Sequence, residues 1–171
     1  MTVPLPEPDH RLVDNKTLFL DYLDSYRASI AAKLAGLSED DMRSSRLPSG
    51  WAPIELLKHL VYMERRWLRW GFTGEEVSAP WGDQDSEGRW HVEPDESLDD
   101  LLDALWAGGR RTRQIVDEAN LHDFSALGGR FESTDEAPAL VWVLFHVLQE
   151  YARHAGHLDV VRELIDGVTG E

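Results

Sequence analysis

Residues 140–161 read LVWVLFHVLQEYARHAGHLDVV, an apolar run in which polar side chains recur at helical intervals. Within it, His146, Glu150 and His154 follow one another at four-residue steps, and His157 comes three residues later. Four residues span just over one helical turn, so Glu150 and His154 are expected on neighbouring turns of one face. The run therefore predicts a long helix that carries two candidate ligands for one divalent metal.

A third candidate ligand, His59, lies upstream in the segment IELLKHLVYMERRW, whose apolar spacing also predicts a helix. Imidazole and carboxylate ligands suit zinc and other first-row divalent ions. Three protein ligands leave a coordination position for water or substrate, as in catalytic zinc sites. From spacing alone the other interpretation stays open, because a buried histidine is more often a core residue with a satisfied hydrogen bond than a ligand.

The other histidines rank behind these three residues. We interpret His157 and His146 as candidate partners of the ligands, since both lie within a few residues of them on the same predicted helix. His91 is a weak additional ligand candidate, and we expect it to lie at the surface together with His10 and His122.

The composition describes an acidic globular chain of 171 residues, with 42% hydrophobic residues and a net charge of −15. This length suits a single domain over residues 1–171. The negative charge opposes binding to nucleic acid, which depends on basic side chains that displace counterions. No apolar run is long enough to cross a bilayer, and the start MTVPLPEPDHR lacks the features of a secretory signal, so we expect a cytoplasmic protein.

Four long helical patterns account for most of the chain, and they predict an all-α four-helix bundle. Their expected spans are about 14–37, 53–72, 97–119 and 138–165. Pro53 suits a first helical turn, Ser97 can cap the third helix, and Gly167 can end the fourth. Gly108 and Gly109 interrupt the third pattern and indicate either a bend or the close approach of another group.

The connection over residues 73–96 is long, rich in acids, and contains Trp81 and Trp90. A loop of this length can run the full height of a bundle as a crossover between helices two and three, and it can cover a pocket. Residues 1–13 are expected to form an N-terminal extension. Trp67, Trp70 and Trp106 are interpreted as core or subunit-interface residues, which predicts a homodimer, with a tryptophan-walled substrate pocket as the alternative.

Two segments resemble a known superfamily. SGWAPIELLKHLVYMERRW is similar to the first metal-binding segment of the DinB/YfiT-like superfamily, and EYARHAGHLDVVREL is similar to its closing motif, particularly in the DUF664 or mini-circle-protein branch common in actinobacteria. The resemblance covers nearly the whole chain and implies that His59, Glu150 and His154 are the metal ligands. Many relatives have histidine at the position of Glu150, whereas the related mycothiol-dependent isomerases use a His, Glu, His set.

The resemblance also implies a function. Several branches transfer groups to or from low-molecular-weight thiols such as mycothiol, bacillithiol or glutathione. The chain has no cysteine, so any thiol must be supplied from outside. Arginine is abundant and lysine scarce, which suggests a GC-rich genome and favours mycothiol. We therefore expect a divalent-metal-dependent thiol transferase acting on a small molecule in detoxification or stress response, with zinc as the first choice of metal and nickel, manganese or iron as alternatives.

Arg66 and Arg153 are candidates for binding a carboxylate of the thiol or substrate, with surface ion pairs as the competing interpretation. Two other functions stay open. The same metal could activate water in a hydrolase that uses Glu150 as a base. The chain could also be a noncatalytic homodimeric binding module whose histidines belong to the core.

Overall fold

The computed structural model describes residues 7–169, and it contains four long helices and one short one. The elements are α1 (Asn15–Leu34), α2 (Glu39–Arg43), α3 (Pro53–Arg65) with a π-helical continuation (Arg66–Phe72), α4 (Leu98–Glu118) and α5 (Leu140–Asp166). Over this part of the chain there is no β-strand, only three isolated bridges. The predicted all-α class is confirmed.

The helix ends follow local capping chemistry. The Ser97 side chain accepts a hydrogen bond from the Asp100 amide at the start of α4, and Gly167 ends α5 in the left-handed conformation at φ 75°. Both caps were predicted. The first helix is shorter than expected, because Ser38 caps the separate helix α2 and accepts a hydrogen bond from the Asp41 amide.

The four long helices form a bundle in which α1 packs against α4 and α5, and α3 packs against the same two helices. The core between them consists mainly of leucine, isoleucine and valine side chains. Residues 73–97 connect the π-helical segment to α4 without any helix. Of the predicted N-terminal extension, residues 1–6 lie outside the described residues, and residues 7–13 precede α1 without forming a helix.

One buried charge network joins all four long helices. The carboxylate of Glu64 in α3 accepts hydrogen bonds from Arg27 of α1, Thr112 of α4 and the Tyr151 hydroxyl of α5. Arg27 is 1% exposed and Glu64 is 3% exposed. Because charges buried in this way are stable only when they are paired, the network specifies how the helices pack.

The glycine pair in α4 is explained by this network. A Cβ atom on Gly109 would lie 2.9 Å from the Arg27 guanidinium carbon, whereas one on Gly108 would meet nothing within 4 Å among residues 7–169. Of the two predicted explanations, the close approach of another group is the one observed.

No helix within residues 7–169 is both long enough and apolar enough to cross a membrane.

Candidate metal centre

Three side chains from two helices converge between α3 and α5. His59 comes from α3, while Glu150 and His154 come from successive turns of α5. One candidate ligand atom of each lies within 4.8 Å of the other two. Oε2 of Glu150 is 3.7 Å from Nε2 of His59 and 3.3 Å from Nε2 of His154. The three residues singled out by their sequence spacing therefore form one cluster.

Nε2 of His59 is buried and has no hydrogen-bond partner among the described residues. Leaving a buried polar atom unpaired is costly, and nearly all such atoms in folded proteins have a partner. This nitrogen faces the Glu150 carboxylate and the His154 ring. The unpaired nitrogen, together with a carboxylate and a second imidazole, is a donor set that fits a divalent metal.

Asp83, from the connection before α4, orients the His59 ring. Its Oδ2 atom lies 3.1 Å from Nδ1 of His59, and Arg66 holds the same carboxylate through contacts of 2.5 and 3.1 Å. Burial opposes ionisation of Asp83, but the hydrogen bonds from His59 and Arg66 outweigh this effect and lower the pKa of its carboxyl group. An ionised carboxylate only accepts, so Nδ1 of His59 carries a hydrogen, and in the neutral ring this leaves the lone pair on Nε2. This arrangement is typical of histidines that bind metals.

His154 is held in the neutral form. Burial lowers its pKa to about 4; the nearby His59 and His157 rings act in the same direction, and Glu150 opposes them. Neutral imidazole is the form that binds a metal. Nδ1 of His157, an exposed residue, lies 3.3 Å from Nδ1 of His154. His157 therefore lies within contact distance of a candidate ligand.

His146 lies one helical turn before Glu150, outside the cluster of three donors. Its ring contacts Trp67 at 4.3 Å between centroids and stacks on Trp142 at 5.3 Å. His146 therefore packs against the two tryptophan rings, and within residues 7–169 it forms no hydrogen bond to a candidate ligand.

Tryptophans cover the outer side of the cluster. Trp90 stacks on His59 with ring centroids 4.2 Å apart, and its ring also lies 5.3 Å from that of His154. Trp51 lies 6.1 Å from Trp90 and 6.2 Å from His157. Trp51 and Trp90 also line a cavity of about 550 Å³, together with His91. The crossover thus covers the candidate centre and supplies an aromatic wall.

The structure places the two candidate carboxylate-binding arginines, Arg66 and Arg153, in different surroundings. Arg66 is buried, and it donates to the Asp83 carboxylate and to the Pro80 carbonyl. Its ion pair is therefore buried and not at the surface, because the connection before α4 brings Asp83 against it; binding of a substrate carboxylate by Arg66 stays a prediction. Arg153 is exposed on α5 and has no ion pair with any described residue.

Asp83 and Trp90 were missed from the sequence. Asp83 is followed by other acids, including Asp85 and Glu87, in an irregular segment. No periodicity distinguishes the buried Asp83 from these more exposed acids, because the fold of this connection depends on contacts with α3.

Comparison with known proteins agrees with this geometry. The family model described as mycothiol-S-transferase matches residues 18–167, a span that includes all three candidate ligands. No curated protein and no solved structure matches the chain significantly. The match covers most of the chain and confirms the DinB/YfiT-like resemblance. The chain therefore belongs to the mycothiol-S-transferase family, one of the DinB/YfiT-like families.

Proposed function

We propose that the protein is a divalent-metal-dependent transferase that joins a low-molecular-weight thiol, such as mycothiol, to an electrophilic small molecule in detoxification or stress response. Family membership supports the transferase class. The observation that carries the metal dependence is the buried, unpaired Nε2 of His59, which faces Glu150 and His154.

His59, Glu150 and His154 would hold the metal. Two imidazoles and a carboxylate suit zinc best, while nickel, manganese and iron accept the same ligands. When bound, the metal would lower the pKa of a coordinated thiol, so that the nucleophilic thiolate exists near neutral pH. Because the chain has no cysteine, that thiol must come from solution.

Residues around the three candidate ligands orient them and shield them from water. Asp83 fixes the tautomer and orientation of His59, and Arg66 keeps Asp83 ionised. Trp90 covers the rings of His59 and His154 and limits the access of water to them. An aromatic wall at this point also offers apolar surface to the carbon skeleton of an electrophile.

The hydrolase alternative has less support. Its candidate base, Glu150, lies between the two imidazoles and serves better as a ligand than as a free base. Asp83, a second carboxylate near the cluster, is hydrogen-bonded to Arg66 and His59 and is therefore not free to act as a base.

We also propose that the chain forms a homodimer. Exposed apolar side chains on α5, including Trp142, Phe145, Val160 and Leu164, support this proposal. Light scattering coupled to size-exclusion chromatography tests it, and Val160→Arg is expected to shift the mass from two chains to one. A wild-type mass of one chain would refute it.

Metal content tests the central proposal. We expect about one divalent ion per chain in untagged protein purified without chelator. The His59→Ala and His154→Ala variants should lose this ion and thiol transfer to 1-chloro-2,4-dinitrobenzene together, with unchanged far-UV circular dichroism. His10→Ala is the matched control, because its side chain is 92% exposed and lies outside the centre.

Transfer rates should be compared for mycothiol, bacillithiol and glutathione. Thiol transfer that persists in a metal-free variant would refute metal dependence. Wild-type protein that binds no metal after incubation with Zn²⁺ would instead support a noncatalytic helical module.

A further inference from the structure

Arg130 is a cation that has no counterion among residues 7–169, and it is linked to the candidate metal centre through Trp67 and Trp81. It lies in the connection between α4 and α5, where its guanidinium carbon is 3.9 Å from the centroid of the Trp67 ring and 5.8 Å from that of Trp81. Within residues 7–169 its side chain forms no ion pair and no hydrogen bond, and Nη1 is buried without a partner. Asp135 and Glu136 line a cavity next to Trp67, yet neither pairs with Arg130.

An unpaired, half-buried cation is unusual in a chain with a net charge of −15. Burial lowers the pKa of Arg130, and the positive charge of Arg66 lowers it further. An arginine nevertheless stays protonated at neutral pH. The site therefore keeps a positive charge that no described carboxylate neutralises.

Nη1 of Arg130 is buried, whereas Nε and Nη2 are not among the buried unpaired atoms and form no hydrogen bond within residues 7–169. Contact with a tryptophan ring uses the flat face of the guanidinium, whereas its N–H groups point outward in the plane. The planar fork of a guanidinium matches the two oxygens of a carboxylate. Trp67 and Trp81 thus contact the cation, while Nε and Nη2 form the edge of the guanidinium that can receive a carboxylate.

Two series of contacts lead from Arg130 to the candidate ligands. On one side Trp67 contacts His146, which lies one helical turn before Glu150. On the other side Trp81 lies under Arg66 at 4.4 Å, and Arg66 holds the Asp83 carboxylate that bonds to His59. Arg130 therefore lies on the same side of the bundle as the donor cluster.

We propose that Arg130 binds the carboxylate of a small-molecule substrate next to the metal centre. A single guanidinium matches one carboxylate in charge and shape. A phosphate dianion would need a second free cation, and Arg66 is already neutralised by Asp83. The role in substrate choice rests on the proposed thiol transfer, whereas carboxylate binding itself requires neither metal nor thiol.

The test compares benzoate with benzamide, two probes of similar shape that differ in charge. Titrations are followed by the indole N–H signals in ¹H–¹⁵N NMR spectra of the purified protein. We expect benzoate, and not benzamide, to shift the signals of Trp67 and Trp81. Arg130→Gln should weaken benzoate binding by at least about tenfold. Arg110→Gln, which removes an exposed arginine of α4, should leave it unchanged.

Arg130→Lys is a second variant, in case glutamine disturbs the fold. Lysine keeps the charge and lacks the planar fork, so binding should weaken while the indole spectrum is preserved. A third variant, His59→Ala, removes the candidate metal ligand and should still bind benzoate at Trp67 and Trp81. Benzoate binding by His59→Ala separates this proposal from the proposed function, because it would show that the carboxylate binds without the metal.

Several results would overturn the proposal. They are equal shifts with benzoate and benzamide, unchanged benzoate affinity in both Arg130 variants, or a response limited to Trp90 that disappears in His59→Ala. The last result would show that benzoate binds the metal and not the arginine. If transfer activity is found, Arg130→Gln should raise KM for an electrophile bearing a carboxylate and leave KM for its amide unchanged.

Discussion

Replacing Glu64 by glutamine tests how far the bundle depends on its buried charge network. The substitution keeps the size of the side chain and removes the charge opposite Arg27, which is almost completely buried. Breaking a buried ion pair by neutralising one partner typically costs about 3–5 kcal/mol, because the other charge stays buried without compensation.

The structure places glutamine at the lower end of this range. Nη1 of Arg27 still contacts the half-exposed carboxylate of Asp24 at 2.6 Å, and the glutamine oxygen can still accept a hydrogen bond from Tyr151. We therefore expect Glu64→Gln to lower the free energy of unfolding by about 3 kcal/mol. Glu64→Ala should cost about 5 kcal/mol, because it also leaves the hydroxyls of Tyr151 and Thr112 without their acceptor.

Urea denaturation followed by far-UV circular dichroism at pH 7 measures both losses. With a slope of about 2 kcal/mol per molar urea, the glutamine variant should unfold at about 1.5 M less denaturant than the wild type. Glu39→Gln is the matched control, because Glu39 pairs with Arg43 on the exposed helix α2 and should change the midpoint little. A glutamine variant within about 1 kcal/mol of the wild type would refute the reasoning, since Arg27 would then not depend on Glu64.

Two further predictions concern single contacts. Gly109→Ala should destabilise the fold by displacing Arg27. Gly108→Ala should stabilise it by up to about 1 kcal/mol, because the new methyl group meets open space and alanine favours the helix. Thermal unfolding measures both changes, and the opposite results would contradict the close approach of Arg27 to Gly109. Asp83→Asn should weaken metal binding about 10- to 100-fold by removing the charged acceptor of His59. Competition with a chromophoric chelator measures this loss, and an unchanged affinity would show that Asp83 does not orient the ligand.

The helical part of the structure was predictable from the sequence. Apolar spacing located the four long helices, and the four-residue interval placed Glu150 and His154 on one face of the last helix. The short helix α2 was missed, because a helix of five residues is too short to show a helical period in its apolar residues.

The surroundings of the donors were not predictable, because they come from the two irregular connections. Asp83 and Arg130 lie in segments without periodicity, and only the folded chain brings them against α3 and its π-helical continuation.

The two arginines near Trp81 show how the difference between helices and irregular connections affects function. Arg66 and Arg130 both contact the Trp81 ring, and both carry the charge that a carboxylate requires. The crossover gives Arg66 an internal carboxylate in Asp83, so that its charge serves the orientation of His59. Arg130 receives no such partner from the described chain, so its charge remains available to a ligand. The helices thus bring together the atoms of the proposed metal site, while the connections determine which arginine is left without a carboxylate from the described chain.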